Sequence, residues 1–266
     1  MTEAASREPK AGSRALETEA LFEYLLRLGD DRLVLGHRLS QWCGHGPILE
    51  EDIALANIAL DCLGQATLWL KLAGETEKLG RDEDALAYWR DERDFRNLQM
   101  LELPLGDFGF TIMRQFLFSA FSHIALERLT ASSHAGISGI AGKAVKEARY
   151  HLRHSAEWVL RLGDGTDESH ARCQAALDEL WPWTGEFFFQ NDVDAVLQEQ
   201  GIAPDLETLR APWEGLVKEH LAKATLSIPS TPARMAGGRV GRHTEHLGHM
   251  LAEMQIVARS HPGATW

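Results

Sequence analysis

Between Asp107 and Glu127 the chain carries no acidic residue, while Phe110, Ile112, Met113, Phe116, Leu117, Phe118, Phe121, Ile124 and Leu126 crowd the interval. At helical spacing such side chains point to nearly every side, and a helix of that kind needs cover all round. A central helix over about 108–129, enclosed by other helices, meets that need. A second run, from about Glu50 to Ala73, is nearly as apolar, with Ile53, Leu55, Ile58, Leu60, Leu63, Leu68, Trp69 and Leu70 behind an acidic first turn of Glu50, Glu51 and Asp52. The helix dipole favours acids at that end. One polar stripe crosses this run: Asn57, Asp61, Gly64 and Gln65. A carboxylate on a buried helix needs a partner. Asp61 therefore reads either as part of a small buried polar network with Asn57 and Gln65, or as the remnant of a metal site.

The remaining segments are also helical. Leu21, Tyr24, Leu25, Leu28, Leu35 and Leu39 recur at spacings of three, four and seven, predicting a helix over 16–42 that Gly29-Asp30-Asp31 interrupts without ending. Gly44-His45-Gly46-Pro47 ends it. A short helix is expected over 82–90, continuing through the charge-dense Arg90–Asp94 to about Met100. A long one spans Ser138 to Leu162, with Gly163 as a left-handed C′ residue and Thr166 as the next N-cap. The helix over 167–188 ends in Trp181, Trp183, Phe187, Phe188 and Phe189, and Pro182 predicts a break there. Short helices follow over 192–200 and 206–223, the latter with Pro212 in its first turn, then a loop over 228–242 and a last helix from His243 or Thr244 to about Arg259. No strand-like alternation and no fixed repeat appear. The fold class is all-α: a ferritin-like helical bundle with additional C-terminal helices. Residues 1–14, polar and small, are expected as a mobile tail, and 15–266 as a single helical domain.

A length of 266 residues and a 44% hydrophobic fraction suit a globular chain. A formal net charge of −12 argues against broad nucleic-acid binding, which needs a cationic surface. Cys43, Cys62 and Cys173 lie far apart and form neither a disulfide framework nor a zinc ribbon, so reduced thiols in a cytoplasm are expected. The N-terminus lacks the apolar core of a signal peptide, and no run is expected to cross a membrane.

The chemistry-bearing stretch is Lys143-Ala-Val-Lys-Glu147-Ala-Arg-Tyr150-His151-Leu-Arg-His154. Residues three and four apart share a helix face, so Glu147, His151 and His154 can point one way. Carboxylate-bridged iron in a helical bundle needs a Glu from each of two helices and a Glu-x-x-His pair from each of two others. Here the residue three after Glu147 is Tyr150, and the residue three after Asp61 is Gly64. On the central helix only Glu127 is available, four residues after His123; on the first helix Glu23, Asp30 and Asp31 are equivalent candidates. Both Glu-x-x-His pairs are missing. No bound metal is expected, and Asp61, Glu147 and His151 are candidates for a vestigial site. The bland alternative is an ordinary helix surface, where Lys143 and Glu147 form an i,i+4 pair.

Two further clusters stand out. Arg234, Arg239 and Arg242 surround Gly237, Gly238 and Gly241, forming a basic flexible loop that an anion or an acidic partner face would fit; a solvated loop is the alternative. His243, His246 and His249 follow at strict spacings of three, which drift around a helix, so an interface or surface role is expected for them rather than a metal site. No P-loop, dinucleotide fingerprint or nucleophile elbow is present.

Several stretches together resemble the C subunits of the phenylacetyl-coenzyme A epoxidases, the PaaC family: Leu26-Arg-Leu-Gly-Asp-Asp-Arg-Leu-Val-Leu, Gln41-Trp-Cys-Gly-His-Gly-Pro, Asp52-Ile-Ala-Leu-Ala-Asn-Ile-Ala-Leu-Asp-Cys-Leu-Gly-Gln-Ala, Arg90-Asp-Glu-Arg-Asp-Phe-Arg-Asn, the stretch from Lys143 to His154, Arg161-Leu-Gly-Asp-Gly-Thr, and His243-Thr-Glu-His-Leu-Gly-His-Met-Leu-Ala-Glu-Met-Gln. They run from about Leu21 to Trp266. The resemblance implies a ferritin-like fold and a structural, non-catalytic role in a hetero-oligomer. In that picture the catalytic sister subunit of the epoxidase carries the di-iron centre and the acyl-CoA, and a reductase brings electrons from NADPH. It implies no catalytic residue and no cofactor in this chain. Two other readings stay open: a di-iron oxygenase in its own right, dependent on Asp61 and Glu147, and a helical module that grips an acyl-CoA through the 234–242 loop.

Overall fold

Two helical hairpins laid against each other form the body of the molecule. The computed structural model describes residues 11–232 and 237–264, with side chains from residue 15 onward. The first hairpin joins α1 (Ala11–Ser40) to α2 (Leu49–Glu77), and the second joins α5 (Phe108–Leu129) to α6 (Ala135–Gly163). Between them run two short helices, α3 (Glu83–Tyr88) and α4 (Gln99–Glu102); after them come α7 (Asp167–Leu180), α8 (Asp192–Glu199), α9 (Glu207–Lys223) and α10 (Glu245–Ser260). The all-α class expected from periodicity is what forms, and no strand occurs among the described residues. Helix α1 begins at Ala11, inside the stretch expected as tail, while residues 1–10 lie outside the described residues.

Gly29 does not break α1; it lets α2 come close. A Cβ at Gly29 would lie 2.7 Å from Leu70 Cδ2, and one at Gly36 would lie 3.0 Å from Leu63 Cγ. Around these contacts Leu25, Val34, Leu35 and Leu39 of α1 meet Leu55, Ile58, Trp69 and Leu70 of α2, all buried. The most apolar helix, α5, has the bounds its sequence predicts, and Asp107 caps it by accepting from Phe110 N at 2.8 Å. It is enclosed, with Ile112, Met113, Phe116, Leu117 and Leu126 fully buried.

The expectation that no run could cross a membrane needs correction. By length and composition α2 is long and apolar enough, yet only 44% of its most apolar window is buried. One side of α2 packs into the hairpin; the other leaves Ile53 and Leu60 exposed at 53% and 65%.

Three local expectations also change. The chain does not stay helical to Met100. It leaves α3 at Tyr88, makes a single 3₁₀ turn over Glu92–Asp94 and runs extended before α4. Here carboxylates of α1 capture backbone amides: Arg96 N donates to Asp30 at 2.8 Å and Leu98 N to Asp31 at 2.9 Å, and amides so engaged cannot join a helical ladder. Gly163 does not adopt a left-handed backbone. It forms the last turn of α6, and glycine is required there because a Cβ would overlap the Ala224 carbonyl oxygen at the end of α9. Pro182 opens a 3₁₀ segment, Trp181–Phe188, that breaks from α7 as predicted, whereas Pro212 falls beyond the first turn of α9. The aromatic cluster packs across elements: Phe121 stacks on Phe187 at 4.9 Å, and Trp213 donates its indole N–H to Leu117 O at 3.1 Å.

Candidate functional site: the centre of the bundle

Leu25, Leu28, Leu35 and Leu39 of α1 point inward at helical spacing, and Arg32 occupies the position between Leu28 and Leu35 in that register. Helical geometry thus drives a guanidinium into the bundle. Arg32 Nε donates to Gln65 Oε1 on α2 at 3.3 Å, and its Nη2 donates to Ser122 Oγ on α5 at 3.0 Å. Gln65 Nε2 in turn donates to Glu147 Oε2 on α6 at 2.8 Å. One polar chain therefore touches all four long helices. The guanidinium also lies over the Phe118 ring at 5.6 Å, with Asp31 Oδ2 3.8 Å away. Burial pushes the Arg32 pKa below the ordinary arginine value; the neighbouring Asp31 carboxylate opposes that shift.

Outward from this centre, α2 and α6 are tied by two histidine–carboxylate pairs. His151 Nε2 lies 3.0 Å from Asp61 Oδ2, and His154 Nε2 lies 2.9 Å from Glu51 Oε2. The structure thus brings together Asp61 and His151, and separately links Glu147 to Gln65. The network expected around Asp61 is different in composition: Asn57 is exposed, and Gln65 bonds Glu147 and Arg32 instead. Tyr150 turns away to solvent, 39% exposed, with its ring 6.1 Å from that of His154. Gly64 is exposed, with nothing within 4 Å of where a Cβ would be.

These residues do not fit a di-iron centre. Glu147 is engaged by an amide, the position three after it faces water, and Gly64 offers no donor. At the centre stands a resident cation, which would repel metal ions. His123 pairs with Glu127 at 3.4 Å at the far end of α5, apart from this set. Among the described residues no group of three or more His, Cys, Asp or Glu side chains is placed to hold a metal ion.

The basic loop also differs from expectation. Arg239 is buried, not offered to an anion: it forms a two-pronged pair with Asp31, Nη1 to Oδ1 at 3.0 Å and Nη2 to Oδ2 at 2.8 Å, and donates to Arg96 O at 2.8 Å. Asp31 was one of three equivalent acids in the sequence, and its partner stands 208 positions away, so spacing could not pair them. Arg242 is exposed, while Arg234 lies outside the described residues. Parallel pairs join Arg90 to Asp30 (Nη1–Oδ2 3.0 Å) and Arg27 to Asp194 (2.9 Å). His243 is held between Glu102 Oε2 at 2.8 Å and Phe95 O at 3.0 Å, a structural role rather than a surface one. His246 is half-buried, and His249 is exposed.

An all-helical bundle of two hairpins, its centre filled by an arginine-led polar chain, defines a class: the all-α, ferritin-like helical bundles. Sequence comparison gives the family. The profile of the PaaA_PaaC family, described as "Phenylacetic acid catabolic protein", matches residues 1–266, and the chain belongs to that family. It is similar to the C subunit of the 1,2-phenylacetyl-CoA epoxidase of Escherichia coli (strain K12), with 51% identity over 247 residues, covering 92% of this chain and 99% of that protein.

Proposed function

We propose that this chain is the structural, non-catalytic subunit of a multicomponent phenylacetyl-CoA 1,2-epoxidase in aerobic phenylacetate breakdown. It assembles in the cytoplasm with a sister subunit that carries the di-iron centre, and stabilises that subunit by binding its folded form. The supporting observation is the pairing of near full-length similarity to an epoxidase C subunit with a bundle centre in which Arg32 stands among residues of four helices. A guanidinium fixed there supplies the positive charge that organises Gln65, Ser122 and, through Gln65, Glu147. The chain keeps a bundle's interior order without a metal ion. Electrons from NADPH reach the sister subunit through a reductase in this scheme, and no step of the oxygenation passes through the residues described above.

The test is iron content and epoxidation of phenylacetyl-CoA by the purified chain alone, by the sister subunit alone and by the pair, each produced with ample iron. Iron and activity in the pair, with neither in the isolated chain, are expected. About two irons per isolated chain would overturn the proposal, as would a sister subunit equally stable and active without this chain.

A further inference from the structure

The outer side of α2 exposes apolar residues where water would favour polar ones. Leu49, Ile53, Leu60 and Gly64 recur on it at helical spacing, all exposed, with the polar Asn57 and Thr67 on the same side. Gly64 has no steric reason within this chain, since a Cβ would meet nothing within 4 Å. In an exposed helix interior glycine is a much poorer helix former than alanine. A glycine kept there suits close approach by a surface from outside.

Beside this stripe, across the seam of histidine–carboxylate pairs, the outer side of α6 carries Lys143, Lys146, Arg149 and Arg153, all exposed. Among the described residues none of the four has an ion pair or a hydrogen bond to a carboxylate of this chain. Arg153 lies instead over the ring of Tyr150 at 5.6 Å. A chain of net charge −12 thus gathers unneutralised cations on one face. An apolar centre within a polar, charged rim is how protein interfaces are built.

We infer that the joint outer face of α2 and α6 is the docking surface for the sister subunit, which presents an apolar helix against Leu60 and Gly64 and carboxylates against Lys146, Arg149 and Arg153. This rests on the proposed function above and adds where the partner sits. An acyl-CoA fits the face less well. The cleft between the two helices, about 190 Å³, is lined by Asp61 and Glu147 as well as Lys143, and its carboxylates oppose a phosphate. A lipid surface has no use for a glycine at closest approach.

The experiment uses the full chain co-expressed with the sister subunit, and titration of the two purified proteins. Gly64→Leu puts a good helix former into open space, so the isolated variant should fold and melt no lower than wild type. Its affinity for the sister subunit should fall about tenfold or more. The triple reversal Lys146→Glu, Arg149→Glu, Arg153→Glu should weaken the pair further and reduce its salt dependence, while Lys218→Leu on the exposed side of α9 should bind as wild type. Wild-type affinity in both Gly64→Leu and the triple variant would overturn the docking face and leave the scaffold role standing. A wild-type chain that forms no pair with the sister subunit would overturn both. Saturable binding of coenzyme A, or flotation with anionic phosphatidylglycerol vesicles, abolished by the triple variant while the protein pair is untouched, would also overturn the assignment.

Discussion

Asp31 and Arg239, 208 residues apart, meet as a two-pronged buried ion pair at 3.0 and 2.8 Å. Asp31 accepts a third bond from the Leu98 amide at 2.9 Å, so one carboxylate holds the 95–98 segment and the 238–240 turn against α1. Removing one member of a buried pair leaves the other charge uncompensated. Asp31→Ala should destabilise the chain by about 3–5 kcal/mol in urea unfolding. The double variant Asp31→Ala, Arg239→Ala should cost clearly less than the sum of the two single changes, since neither charge is then stranded.

Gly163→Ala places a methyl group against the Ala224 carbonyl at the junction of α6 and α9. Overpacking of this kind costs about 1–3 kcal/mol, although alanine is the better helix former. Had Gly163 been a left-handed cap, the strain would have come from backbone conformation, and Gly163→Asn would have been tolerated. Here Gly163→Asn should melt lower than Gly163→Ala.

His243 gives the pH dependence. Its two ring nitrogens face only acceptors, the Glu102 carboxylate and the Phe95 carbonyl, so both bonds require the protonated ring. Burial opposes that charge, but the hydrogen bond and charge of Glu102 outweigh it and raise the pKa above the usual histidine value. The folded chain therefore holds this proton more tightly than the unfolded one. Its stabilisation is complete below the ordinary imidazole pKa of about 6.5 and fades as pH rises through the higher folded value. Thermal midpoints measured from pH 6 upward should fall for the wild type, and less steeply for His243→Gln.

The long helices were legible because burial on several sides leaves periodic apolar residues that no loop would carry. For α5 the reading extended to both ends. The absence of both Glu-x-x-His pairs was equally legible, since it depends only on which residue stands three positions on. What fills the centre was not seen, though Arg32 lies in the Leu25, Leu28, Leu35, Leu39 register and a charge at a core position was the available signal. The helix expected over 90–100 failed for a reason no local pattern holds: its amides bond to Asp30 and Asp31 of α1. The same nonlocal logic turned Arg239 from a candidate surface cation into a buried one.

Restoring the sequence motif should not restore a metal. Tyr150→His supplies Glu147-x-x-His, but position 150 faces solvent and Arg32 stays at the centre. Metal analysis of the purified variant should give the same iron content as the wild-type chain. A stoichiometric gain would show that Arg32 yields its place more easily than its bonds to Gln65 and Ser122 imply.

The pair between Asp31 and Arg239 also sets a timetable for biogenesis. A ribosome adding about 5–20 residues per second emits the first helix roughly 10–40 s before its arginine partner. Through that interval the nascent chain carries an acid destined for the interior with only the neighbouring Arg32 and the Leu98 amide to meet it. The two-pronged pair that fixes the 238–240 turn against the first helix forms only when synthesis is nearly complete. A message broken before codon 239 would yield a product in which Asp31 lacks its buried guanidinium partner, so the lesion at the C-terminal end would be felt as lost stability at the first helix.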